Sequence, residues 1–384
     1  MNVPRGFLFN GINCGIKKKN KDLAVIITEP PAEAAGFFTS NEFQAESLLV
    51  SKKHILNGRI SAVIVNSGCA NCALGDAGIK SALKICSKCA RELNVDKENI
   101  LICSTGTIGV PLPDKKIISK VKTLIEESSP KKAVDFAEAI MTTDKYPKYK
   151  SVKLKSGAVI TGIAKGAGMI EPNLATTLCF LLTDAKIKKS SLKKIVKQVL
   201  DVTFNRISID AEQSTNDTLL ALSNSASGVD VEKSKKDLDE FIRGVFSVLG
   251  ELSYQIVKNG EGATKVVKII VKNSKGEAGA EKVARKLASS MLFKTSIYGN
   301  CANWGRIISA VGSLRLGIGR DFNVYYGNTK VVSRGVSMYN NKNKADNYLR
   351  KNKDVNITVD LKQGSSNFWI YTTDLSPEYV ELNK

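Results

Sequence analysis

Short apolar runs recur along the whole chain: residues 24–28 (AVIIT), 62–65 (AVIV), 100–103 (ILIC), 178–182 (LCFLL) and 266–271 (VVKIIV). Each is too short for a buried helix, so each reads as a strand inside a core. Between them lie stretches whose apolar residues recur at helical spacing: 77–93, 114–126, 133–141, 190–203, 235–257, 280–290 and 307–313. Val152-Lys153-Leu154-Lys155 and Ala158-Val159-Ile160-Thr161 flank Ser156-Gly157, a hairpin signal. Further strands are expected at 218–222, 357–361 and 369–372. Strands and helices mix without strict alternation, and no internal repeat shows. The fold class is therefore α/β or mixed α+β, in layers, because both element types need a shared core. At 384 residues the chain exceeds what one core organises, so two domains or two interlocked halves are expected.

A formal charge of +20 invites a nucleic-acid partner. The lysines, however, are scattered as Lys17 to Lys19, Lys186-Lys188-Lys189, Lys193-Lys194 and Lys235-Lys236, with no interleaved aromatics to stack bases. A solvated basic surface that attracts small anions is expected, and neither nucleic acid nor membrane is a partner. The opening residues lack an apolar signal segment, and no run approaches membrane-spanning length. A soluble, cytoplasmic protein is the expectation.

Eight cysteines include Cys69-x-x-Cys72 and Cys86-x-x-Cys89, close to the spacing of a four-thiolate zinc site. Yet 77–93 reads as an amphipathic helix with Ile79, Leu83, Cys86, Ala90 and Leu93 on one stripe. Cys86 then faces the core like any small hydrophobe, and no metal is expected.

Chemistry concentrates in the stretch from Lys165-Gly166-Ala167-Gly168 through Pro172-Asn173 to Ala175-Thr176-Thr177, just ahead of the 178–182 run. A hydroxyl at the mouth of a buried strand is well placed to be a nucleophile. Threonine is also common at such junctions simply because it is β-branched. The only histidine, His54, sits in the polar segment Ser51-Lys52-Lys53-His54 and is expected on the surface. Serine–histidine and cysteine–histidine machinery is thereby disfavoured. A threonine can instead supply its own base if the peptide bond before it is cut, since an α-amine has a reference pKa of about 7.7–8.0. The residues alone do not choose between Thr176 and Thr177. Upstream, Ser104-Thr105-Gly106-Thr107-Ile108-Gly109 closes the 100–103 strand with a glycine-containing turn, whose N–H groups suit an oxyanion as well as a plain turn.

This processing stretch resembles that of the ornithine acetyltransferase (glutamate N-acetyltransferase) family. So, in order, do Pro4-Arg5-Gly6-Phe7 with Gly11 and Gly15-Ile16-Lys17, Ala35-Gly36-Phe37-Phe38-Thr39, Val65-Asn66-Ser67-Gly68, the Ser104 to Gly109 segment, Thr142-Thr143-Asp144, Ser214-Thr215-Asn216-Asp217, Gly260-Glu261-Gly262-Ala263-Thr264-Lys265 and Asn303-Trp304-Gly305-Arg306. The resemblance implies a layered sheet-and-helix sandwich of the self-processing aminopeptidase and ornithine acetyltransferase type. It implies self-cleavage between Ala175 and Thr176, giving an α chain (1–175, with the oxyanion hole and Lys165) and a β chain (176–384, opening on Thr176), paired as α2β2. Thr176 would carry acetyl from N-acetylornithine to glutamate in arginine biosynthesis. Thr105 and Gly106 match the oxyanion pair; Thr143, Lys165, Thr176, Glu261 and Asn383 match substrate-contacting positions. No cofactor is expected, and acetyl-CoA stays open as a second donor.

Some positions depart from the family pattern. Relatives usually run past the residue matched by Asn383 to a Thr or Ser that helps bind substrate, whereas this sequence stops at Lys384. Cys69 stands where Asn is usual, Cys301-Ala302 where an acidic residue and Pro are commoner, and Ala211-Glu212-Gln213 also differ. A related self-processing hydrolase or aminopeptidase is the alternative reading, with a zinc- or nucleic-acid-binding protein behind it.

Overall fold

The structure, a computed structural model, describes residues 1–171 and 177–384. They form two compact units, one of residues 1–166, 177–205 and 213–256, the other of 167–171, 206–212 and 257–384.

The first unit holds strands β1 (Phe7–Ile12), β2 (Leu23–Phe38), β3 (Arg59–Cys69), β4 (Ile100–Thr107), β5 (Lys148–Lys153), β6 (Val159–Lys165), β7 (Leu178–Thr183) and β8 (Thr218–Ser223). Among the described residues they make an eight-stranded sheet in the order β4-β3-β2-β8-β7-β6-β5, with β1 also on β2. Pairs β3–β4 and β7–β8 are parallel; the others are antiparallel. Helices α1 (Glu46–His54), α2 (Asp76–Leu93), α3 (Asp114–Glu126), α4 (Ala133–Ala139), α5 (Lys189–Asp201) and α6 (Lys235–Lys258) accompany it. Both faces of the sheet are covered, which is why its strands read as continuous apolar runs. Val25 packs with Ile85, Cys86, Ile117 and Val121 of α2 and α3. Its neighbour Ile26 packs with Phe9, Phe136 and Phe180 on the opposite face, as the two-residue period of a strand requires. Each such fully buried side chain contributes about 1.5–3 kcal/mol.

The α2 helix carries Asp76 in its first turn and stops at Asn94, whose left-handed φ of 52° lets its N–H return to the Ala90 and Arg91 carbonyls. Cys86 lies on its buried face, as the stripe predicts, and so does Cys89.

The second unit holds β9 (Val266–Ser274), β10 (Asn323–Tyr326), β11 (Thr329–Ser333), β12 (Val336–Ser337), β13 (Asp354–Asp360) and β14 (Ser366–Thr373), with α7 (Glu277–Ala288), α8 (Met291–Tyr298), α9 (Trp304–Gly312), α10 (Lys342–Lys351) and α11 (Pro377–Leu382). Its described strands run β12-β11-β10-β13-β9-β14. Val267, Ile269 and Val271 pack with Val283 and Leu287 of α7 and Ile307 of α9. The mixed α/β class, layered sheet on helix, is thus the observed one.

Three local expectations are corrected. His54 is buried, not a surface residue, and its Nδ1 lies 2.7 Å from the Ile100 carbonyl oxygen. Ser51, one turn earlier on α1, accepts from the Ile102 N–H and donates to the Ile102 carbonyl. The two side chains occupy backbone groups of β4, the outermost strand on that side among the described residues. The glycine-containing turn expected over Ser104 to Gly109 falls only at Ile108-Gly109, since Ser104-Thr105-Gly106-Thr107 continue β4 beside Asn66-Ser67-Gly68 of β3. Both extend their strands, and a register shift at Gly68 and Cys69 absorbs the glycines. The helix expected from 307 starts at Trp304. No helix among the described residues is long and apolar enough to cross a membrane.

Candidate active site

Within the first unit, Ser67 pairs with Thr105 and Gly68 with Gly106 across the parallel β3–β4 ladder. Gly106 has φ +132°, and a Cβ there would stand 2.3 Å from the Gly68 carbonyl carbon. Only glycine fits that approach. Lys165 ends β6, is buried, and donates from Nζ to the Thr105 hydroxyl oxygen at 3.0 Å. Three of the sequence-predicted residues therefore meet: Thr105, Gly106 and Lys165.

Asp144 organises the neighbouring backbone. Its Oδ1 accepts from the Gly166 N–H at 2.7 Å and from the Lys148 ammonium; its Oδ2 accepts from the Thr142 N–H at 3.0 Å. Both charged side chains of the Asp144–Lys148 pair are fully buried. Burial opposes ionisation of Asp144, but the Lys148 and Lys165 ammoniums outweigh it and hold the carboxyl at about 2. Thr143, held in a bend between Thr142 and Asp144, is exposed. Lys17 donates to the Met141 carbonyl at 2.5 Å; burial pushes its ammonium down to about 8, against the pull of Asp22, with Lys165 adding repulsion.

Ala175 and Thr176, the expected cleavage pair, lie outside the described residues. Thr177 is described and buried, with φ +77°, an uncommon value for a β-branched residue. Its N–H donates to Asp217 Oδ1 at 2.5 Å, and its carbonyl accepts from the Thr218 N–H at 2.7 Å. Asp217 and Asp144 lie within the resemblance motifs, but the resemblance gives neither a role. The sequence signal for Asp217 was the dense polar run immediately before β8.

Within the second unit, Glu261 is buried, and its Oε2 accepts from Asn383 Nδ2 at 2.8 Å. The same amide donates to the Tyr379 carbonyl at 2.9 Å. A Cβ on Gly168 would lie 2.4 Å from Glu261 Oε2, so that glycine is what lets the carboxylate approach. Glu261 and Asn383, matched separately by the resemblance, are thus direct partners.

Burial pushes the Cys89 thiol up to about 12. Among the described residues, no group of three or more His, Cys, Asp or Glu side chains is placed to hold a metal ion.

The profile described as the ArgJ family matches residues 8–384. The chain belongs to the ArgJ family. A relative from Thermotoga neapolitana, an arginine biosynthesis bifunctional protein ArgJ, is 40% identical over 394 residues, covering 100% of this chain and 99% of the relative. The protein of the same name from Geobacter sulfurreducens is 38% identical over 389 residues, covering 100% of this chain and 99% of its own length. Among solved structures, the ornithine acetyltransferase of Mycobacterium tuberculosis, complexed with ornithine, is 36% identical with a TM-score of 0.44, covering 45% of this chain and 94% of that chain. ArgJ membership agrees with the resemblance read from the motifs.

Proposed function

We propose that this chain is the acetyltransferase of arginine biosynthesis that its family membership indicates, working through a threonine acyl-enzyme. The observation that carries the reading is the full-length likeness to bifunctional ArgJ proteins. Thr176 is the nucleophile and, after cleavage from Ala175, its own general base through the freed α-amine. Its hydroxyl takes the acetyl group of N-acetylornithine as an ester, ornithine leaves, and glutamate receives the acetyl group.

The Thr105 and Gly106 donors stabilise the tetrahedral oxyanion of cleavage and of acyl transfer, which share geometry. Gly106 follows Thr105 on β4, where its backbone approaches Gly68 too closely for any side chain. Lys165, Thr143, Glu261 and Asn383 bind substrate. Lys165 neutralises a carboxylate, and Glu261 receives an ammonium. Residues 1–175 and 176–384 remain associated as α and β chains in an α2β2 assembly in the cytoplasm. Acetyl-CoA is a candidate second donor, in line with the bifunctional name of the relatives.

The test is a denaturing gel with an acetyl-transfer assay. Wild-type protein runs as two pieces and moves acetyl from N-acetylornithine to glutamate. Thr176→Ala runs as one full-length band and is inactive. Cleavage persisting in that variant, or release of free acetate in place of transfer, would overturn the reading.

A further inference from the structure

The polar run Ser214-Thr215-Asn216-Asp217 reaches in two directions within the first unit. Asn216 donates from Nδ2 to the Ala70 carbonyl at 2.6 Å and to the Ser104 carbonyl at 2.8 Å, while its Oδ1 accepts from the Thr215 hydroxyl at 2.6 Å. Ser104 immediately precedes Thr105. Asp217, the next residue, accepts the Thr177 N–H on its carboxylate, and its own carbonyl accepts from the Thr39 N–H at 2.9 Å. Both side chains are buried.

Thr177 does not hold its own conformation. Its positive φ costs roughly 1–3 kcal/mol for a non-glycine residue. Its buried hydroxyl oxygen finds no hydrogen-bond partner among the described residues. The bonds that keep it in place run from its backbone: N–H to Asp217, carbonyl to Thr218. That N–H is the amide of the Thr176–Thr177 peptide bond.

We propose that Asn216 and Asp217 form a two-armed tie, and that Asp217 is a positioning residue for self-cleavage: one arm grips the backbone just before the Thr105-Gly106 donors, the other grips the peptide just after Thr176. The inference rests on Thr176 being the nucleophile. In the step it serves, a bond forms between Thr176 Oγ and the Ala175 carbonyl carbon as the Ala175–Thr176 C–N bond breaks, and the hydroxyl proton ends on the freed amine. Water then splits the ester, releasing the Ala175 carboxylate and restoring the hydroxyl. Asp217 exchanges no proton in this sequence; it holds the amide.

The grip depends on charge, because an ionised carboxylate is the stronger acceptor. Burial raises the Asp217 carboxyl to about 7, while the Thr177 N–H, the Lys165 ammonium on β6, and the Ser214 hydroxyl and N–H pull it down. Lys165 itself stands in the field of Asp144, Lys17 and Lys148. The tie therefore tightens as pH rises through that region.

The experiment follows conversion of freshly translated full-length chain into two pieces across the neutral range. Wild type is expected to cleave faster as pH rises through about 7. Asp217→Asn keeps size and an acceptor oxygen but not the charge; it should cleave about tenfold more slowly or worse, without that pH step. Ser214→Ala removes one hydrogen bond to the carboxylate, so its step should move to higher pH. Wild-type cleavage rates in Asp217→Asn overturn the proposal. Should Asp217→Asn fail to fold by circular dichroism, Ser214→Ala decides, and a profile coincident with wild type overturns it. Cleavage in Thr176→Ala separates the other failure, since it removes the nucleophile reading whatever Asp217 does.

Discussion

Lys165 and Thr105 come from β6 and β4, which are not neighbours in the sheet, yet their side chains meet at 3.0 Å. The lysine orients the hydroxyl that stands beside Gly106. Thr105→Ala removes that hydroxyl without disturbing the backbone. Steady-state kinetics should show acetyl transfer slowed by roughly 10²–10³ in kcat, the usual effect of losing one oxyanion donor. An unchanged kcat would take Thr105 out of the reaction.

The buried Asp144–Lys148 pair fixes the backbone at Thr142 and Gly166. Lys148→Met leaves a buried carboxylate without its nearest cation, and chemical denaturation should show a loss of roughly 3–5 kcal/mol. The Asp144 carboxyl is held below its ordinary value in the folded state, so its contribution is present above about pH 4 and fades as pH falls toward 2.

Asp217 works in the opposite sense. Its folded-state value is raised from 3.8 to about 7, so between those pH values the folded chain holds a proton that the unfolded chain has lost. Its contribution to stability is full below pH 3.8 and is lost as pH rises to 7, an amount of up to roughly 4 kcal/mol. Asp217→Asn should flatten that part of the stability profile. Denaturant titrations at a series of pH values check it; a slope equal to wild type would mean that Asp217 is not the group responsible.

Glu261 shares Asn383 as a hydrogen-bond donor and has Gly168 against it. Glu261→Gln keeps the shape and removes the charge that an ammonium would meet. The KM for N-acetylornithine should rise about tenfold or more. An unchanged KM would end the ammonium role.

Much of the architecture was legible because burial on both faces writes itself as unbroken apolar runs, and the hairpin around Ser156-Gly157 formed between the flanks that the pattern marks. The cysteine helix was legible for another reason, the single apolar stripe at helical spacing. His54 was not, because α1 buries polar residues: Ser51 and His54 face β4 to bond its backbone, which no hydropathy pattern reveals. Glycine misled at Gly106, which serves close strand approach, while the reversal waits until Ile108-Gly109. The family motifs marked Thr105, Lys165, Glu261 and Asn383 one at a time. That Lys165 bonds Thr105, and Asn383 bonds Glu261, is long-range information that only the fold supplies.

The order β2-β8-β7-β6 has a bearing on what a cut before Thr176 would produce. Strands β7 and β8 would belong to one fragment, while β2 and β6 on either side of them would belong to the other. The later fragment's strand pair would be spliced into a slot in the earlier one, with a backbone ladder along each seam. Pulling them apart would bare two rows of buried amides, so the fragments would be a nicked single fabric: made separately, they would have to fold together, and unfolding either would unravel both.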